Sequence, residues 1–227
     1  MSLENYVKHS KEFFNRIHDG MSKTNHVEHD VNTDYWDMLL GDPKNNPDQW
    51  KGKNALDFGC GCGRNIRNMC KLTEWSSVDG CDISVHNARY SKEYADSMNT
   101  SNASISTWEN DGFSINSLNR DLPNKKYDFV MSTIVFEHIA PYSVRRSIME
   151  SIYECLNTDG MFSLSLSNLA NSVDYYSNEF LFPKNALINN QEAVRKDFSE
   201  IGFKDVSVQI GSRFENRPWT YIKGFKK

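Results

Sequence analysis

The sequence predicts an α/β fold, a doubly wound and mostly parallel sheet, and three observations predict it. From Lys53 onward, short apolar runs ending in Gly, Asn or Asp alternate with helical stretches. A glycine-rich turn, Gly59-Cys60-Gly61-Cys62-Gly63, joins the first such run to the first such helix. The run at residues 127–133 has the apolar character of a strand buried on both faces.

Taken in order, residues 3–17 and 34–40 read as helices that stand outside the alternation. Residues 54–58 form a first strand and 64–72 a helix after the glycine turn. A second strand at 77–82, a helix at 85–98, a third strand at 103–108 and a fourth at 127–133 follow. The next helix, 143–156, places Ile148, Ile152 and Leu156 at helical spacing. Asn157-Thr158-Asp159-Gly160 reads as a turn that stops this helix and launches a fifth strand at 161–166. A helix at 191–201 ends at Gly202, and strands at 206–210 and 219–225 have the spacing of an antiparallel hairpin. That makes seven strands in a single domain, residues 1–227. Residues 1–50 are a helical amino-terminal extension or lid, 51–227 the core, and 168–188 an insertion on the substrate side.

A hydrophobic fraction of 38% and a charged fraction of 25% describe a globular chain. No apolar run reaches the roughly 20 residues of a membrane helix. Residues 1–10 lack a basic stretch followed by an apolar one, so no signal peptide is expected. Five cysteines, an odd number without disulfide-framework spacing, fit a reducing compartment, and a cytoplasmic location is expected. Cys60 and Cys62 have no second Cys or His pair at zinc spacing. His26-Val27-Glu28-His29 reads as neighbouring surface histidines on a loop rather than a metal site, and no metal is expected. With net charge −4 and dispersed basic residues, nucleic acid is a disfavoured partner. The chain is expected to be a monomer or homodimer.

The chemistry concentrates in Asp57-Phe58-Gly59-Cys60-Gly61-Cys62-Gly63. Glycine lets a backbone turn tightly and approach a ligand with no Cβ in the way. A dinucleotide fingerprint needs Gly-x-Gly-x-x-Gly or Ala, yet Arg64 falls at its third position counted from Gly59, and Ile66 counted from Gly61. The pattern acidic-x-Gly-x-Gly-x-Gly instead resembles the first motif of class I S-adenosylmethionine-dependent methyltransferases, and the likeness continues along most of the chain after Lys53.

That resemblance implies a Rossmann-like sheet with an antiparallel last strand, and S-adenosyl-L-methionine as cofactor with S-adenosyl-L-homocysteine as product. It places Asp57, Gly59, Cys60, Gly61, Arg64 and Thr133 at the cofactor. Asp82, at the tip of the second strand, would take the ribose hydroxyls, Ile83 the adenine face, and Asn110 and Asp111 the adenine amino group. Phe136-Glu137-His138-Ile139 is similar to the family's strand ending in Glu-His. Relatives that bind metal there carry an earlier Glu where this chain has Ile134.

His138, with Glu137 beside it, is the candidate catalytic group, because an imidazole of pKa about 6.5 can take a proton at neutral pH. The alternative role is a hydrogen bond to a backbone carbonyl that stiffens the turn. Tyr6, Tyr35 and Tyr175 are expected to touch the acceptor, whereas Phe13, Phe14, Ile17 and Trp36 are expected to dock their helices on the core. The acceptor is expected to be a small polar metabolite methylated on O or N. A nucleic-acid or protein methyltransferase and a non-catalytic cofactor-binding protein are the alternatives. Against the first, no Asp/Asn-Pro-Pro-Tyr/Phe follows the fourth strand.

Overall fold

A computed structural model describes residues 1–23, 34–41, 45–98, 102–119, 124–167, 174–180, 190–212 and 218–227. Its centre is a seven-stranded sheet in the order β3-β2-β1-β4-β5-β7-β6. The strands are β1 (Asn54–Phe58), β2 (Ser77–Asp82), β3 (Thr107–Glu109), β4 (Tyr127–Thr133), β5 (Leu156–Ser167), β6 (Lys204–Ser212) and β7 (Pro218–Phe225). The helices are α1 (Leu3–Lys23), α2 (Asp34–Leu40), α3 (Arg64–Leu72), α4 (Val85–Met98), α5 (Tyr142–Cys155) and α6 (Gln191–Ile201). The pairs among β1 to β5 are parallel, and β7 runs antiparallel to both β5 and β6.

Period-two alternation divides the core between the two faces of the sheet. Leu56, Phe58, Val130 and Phe162 pack with Ile148 and Ile152 of α5 and Phe198 of α6. Ala55, Phe129, Met131 and Met161 pack with Trp36 and Leu39 of α2 and Ile66 and Met69 of α3. Both faces being covered explains the apolar character of Phe129, Val130 and Met131 in succession along β4. Between β1 and β4 the strand order reverses, opening the crevice beyond the carboxyl ends where ligands of such sheets sit.

Three elements differ from the sequence expectation. The third strand is Thr107–Glu109, with an isolated bridge from Ser104 to Ser77 before it, because an edge strand has one neighbour to hold it. The turn expected at residues 157–160 lies inside β5, which begins at Leu156 opposite Tyr127. A register shift there and a left-handed Asp159 (φ 61°) absorb the turn as a bulge. Helix α1 runs on to Lys23. Among the described residues no helix is long and apolar enough to cross a membrane.

Candidate active site

A cavity of about 610 Å³ lies at the carboxyl ends of β1, β2 and β4, under one face of α1. Its floor is the loop after β1. Gly61 has φ 52°, and the place a Cβ would occupy has no protein atom within 4 Å. Gly63 has φ 86°, and a Cβ there would stand 2.8 Å from the Ser91 carbonyl oxygen of α4. One glycine thus leaves room for a ligand, and the other lets α4 close against the loop. Helix α3 starts at once with Arg64, so its positive end faces the cavity.

Asp82 is held by three donors. The Gly61 N–H donates to one carboxylate oxygen at 2.9 Å, and the Ser84 N–H (2.9 Å) and Asn87 Nδ2 (3.2 Å) donate to the other. Asn110 Oδ1 accepts from the Gly112 N–H at 2.9 Å, and Ile83 lies beside them on the wall. Thr133 Oγ1 accepts from Asn65 Nδ2 at 2.9 Å, both residues lining the cavity. Ile134 follows with φ 63°, a conformation a β-branched residue adopts at a cost of about 1–3 kcal/mol, and it too lines the cavity.

The roof is α1. Tyr6, Ser10, Phe13, Phe14 and Ile17 share its cavity face. Tyr6 Oη donates to the His138 carbonyl (3.2 Å) and accepts from the Ala140 N–H (3.1 Å). Asn15 Oδ1 accepts from Ser84 Oγ at 2.7 Å, and Lys11 Nζ pairs with Glu109 at 3.1 Å. The His138 ring reaches the cavity with its edge towards Phe14, ring centres 6.1 Å apart. The same turn is gripped from below by the buried Arg145 of α5, whose guanidinium donates to the carbonyls of Ile139, Ala140 and Tyr175. Burial lowers the Arg145 pKa to about 10, which still leaves it charged at neutral pH.

Burial pushes the Asp57 carboxyl up to about 7, and the Asp82 charge adds to the rise, while the Arg64 charge and Asn65 oppose it. Neither Asp57 oxygen makes a hydrogen bond of good geometry, so Asn65 approaches without closing one. Burial, then the Asp82 charge, raises Cys62 to about 11 and lifts Cys60 well above the ordinary thiol value. Neither thiol is a nucleophile at neutral pH.

The structure brings Gly59, Cys60, Gly61, Arg64, Asp82, Ile83, Asn110, Thr133, His138 and Tyr6 to this cavity. It places five other expected residues off its wall. Asp57 lies beneath the loop, wholly buried. Asp111 turns away to accept from the Phe113 and Ser114 N–H groups. Glu137 is buried, because in a 3₁₀ turn successive side chains diverge by about 120° and His138 takes the cavity side. Tyr35 is core, packed against Trp36 and Tyr221. Tyr175 is core as well, donating to Asp197, which also accepts from Tyr142 Oη at 2.9 Å. The histidines at 26 and 29 lie outside the described residues, and among those described no three His, Cys, Asp or Glu side chains converge as metal ligands.

Asn65, Asn87 and Ser10 were not singled out by the sequence reading. A signal existed for Asn87: Ser84 caps α4 through the Asn87 N–H (3.1 Å), so Asn87 sits three residues past a cap, on the loop side.

Residues 39–208 match the model of a family described as a methyltransferase domain. The chain belongs to that family. With its acidic-x-Gly-x-Gly-x-Gly loop on the cavity floor, this methyltransferase is of class I and S-adenosylmethionine-dependent. Among solved structures it resembles magnesium protoporphyrin IX methyltransferase from Synechocystis with bound S-adenosylhomocysteine, at TM-score 0.66 and 16% identity over 98% of this chain and 100% of that one. A methyltransferase from Aquifex aeolicus aligns at TM-score 0.59 and 13% identity, over 91% and 98%. One from Methanosarcina mazei aligns at TM-score 0.61 and 15% identity, over 81% and 97%. At these identities the likeness is one of fold. No curated protein sequence matches the methyltransferase significantly.

Proposed function

We propose that the methyltransferase moves a methyl group from S-adenosylmethionine to oxygen or nitrogen of a small molecule, with His138 taking the acceptor's proton. The observation that carries this is a single cavity lined by the glycine loop, Asp82, Asn110 and His138. The residues fit the cofactor: open space beside Gly61, a carboxylate on the wall for ribose hydroxyls, and an amide with an apolar neighbour for adenine. Arg64 and the start of α3 offer positive charge to the amino-acid carboxylate. Bound there, S-adenosylmethionine supplies an electrophilic methyl group.

The chain's own work is orientation, exclusion of water and proton removal. Tyr6 and Arg145 fix the turn that carries His138 from two sides, so the imidazole meets the acceptor at little cost in side-chain freedom. A neutral imidazole then accepts the proton as the acceptor bonds to carbon. Net charge −4 supports a small-molecule acceptor over nucleic acid, and five free thiols support a cytoplasmic location. His138→Ala tests the base: calorimetry with S-adenosylhomocysteine should give wild-type affinity while kcat falls about a hundredfold or more. Unchanged kcat removes His138 from proton transfer and leaves it a turn-stiffening role.

A further inference from the structure

The surroundings of His138 differ in chemistry from those of the glycine loop. Phe14 of α1 lies beside the His138 ring, and Ile139, next along the turn, lines the same cavity. Among the described residues that line the cavity, the formally charged side chains are Arg64 and Asp82, and both stand at the cofactor loop. A phosphate, an ammonium or a ring of sugar hydroxyls placed beside Phe14 and Ile139 would lose its water with too few partners among the described residues to replace it. The polar metabolite expected from the sequence is therefore a poor fit, and aromatic polar residues counted towards it, Tyr35 and Tyr175, lie in the core instead.

We infer that the acceptor is a phenol, a flat apolar ring system whose hydroxyl is presented to His138. This rests on the methyl-transfer reading above and narrows it. Phe14, tilted at 66° to the His138 ring, gives an aromatic acceptor an edge or face to pack on beside the base. A phenol is neutral at pH 7, so it strands no charge beside Phe14 and Ile139. Its pKa near 10, against about 16 for an aliphatic alcohol, also brings its proton within reach of an imidazole. In the transfer, the phenol oxygen forms a bond to the methyl carbon and gives its proton to His138. The carbon–sulfur bond breaks with its electron pair left on sulfur, so the cationic sulfonium becomes a neutral thioether and the positive charge ends on the imidazolium.

The test uses 2-naphthol as the phenol, with UDP-glucose and phenylethylamine as polar and cationic rivals. Protein saturated with S-adenosylhomocysteine is titrated calorimetrically with each, and each is incubated with S-adenosylmethionine and analysed for methylated product. The expected result is saturable 2-naphthol binding and formation of 2-methoxynaphthalene, with neither from the rivals. Phe14→Asp should weaken 2-naphthol binding about tenfold or more, and Phe14→Leu, which keeps the wall apolar, by no more than about threefold. Methylation of a rival but not of 2-naphthol, no 2-naphthol binding, or binding indifferent to Phe14→Asp would each overturn the inference. Failure of S-adenosylhomocysteine itself to bind would instead strike the methyl-transfer reading, and this one with it.

Discussion

Replacing Asp57 with Asn isolates the cost of a charge buried beneath the glycine loop. The carboxyl is wholly buried and its pKa stands at about 7 in the folded chain against an ordinary 3.8. A difference of about three units, at about 1.36 kcal/mol each, amounts to about 4 kcal/mol. The sign follows from which state holds the proton. Between about pH 4 and pH 7 the folded protein keeps a proton that the unfolded chain has released, so stability falls as pH rises through that window and levels off above it. The stabilisation is fully present below the unfolded pKa and is gone above the folded one. Asn has nearly the same shape and does not ionise. Urea unfolding of both proteins at about pH 4.5 and about pH 8 should show the variant gaining about 3 kcal/mol on the wild type at the higher pH. A wild-type-minus-variant difference that is constant within about 0.5 kcal/mol across the two conditions would refute the assignment, and would mean that Asp57 is ionised in the fold throughout.

Gly61→Arg should abolish S-adenosylhomocysteine binding by calorimetry and cost about 1 kcal/mol of stability, because the left-handed backbone is strained while the space for a side chain is open. Retained affinity in that variant would move the ligand away from the loop. Arg145→Met removes the donor to three backbone carbonyls and should cost about 3 kcal/mol, seen as a fall of about 6–12 °C in Tm. A fall under about 2 °C would show that those bonds are not formed in solution.

The sequence is most readable where local and tertiary demands coincide. Asn54–Phe58, Ser77–Asp82 and Tyr127–Thr133 have the expected bounds because each is a short stretch of largely buried residues that a glycine or a bend follows at once. The edge strand Thr107–Glu109 has half-buried residues throughout, so its limits depend on pairing that no local pattern encodes. That the glycine loop, Asp82, Asn110 and His138 line one cavity was legible because all stand at strand ends. Tyr35 and Tyr175 were not, since an amphipathic aromatic serves a core or a pocket equally well and the partner decides: Tyr221 for one, Asp197 for the other. Phe14 and Ile17 show the reverse. Their helical spacing indicates a buried stripe, and nothing in that spacing says that what they cover is a cavity.

Among the described residues, helix α1 is fastened across the cavity at three separate places: to the turn that carries His138 by Tyr6, to the edge of β3 by Lys11, and to the cap of α4 by Asn15. Each fastening alone is weak, on the order of 1 kcal/mol. Together they form a latch over the cavity, so a molecule held beneath α1 departs more slowly while the latch is closed. Residence time then follows the stiffness of the roof as well as the strength of contacts inside, and added salt, which loosens the Lys11–Glu109 link, shortens the wait.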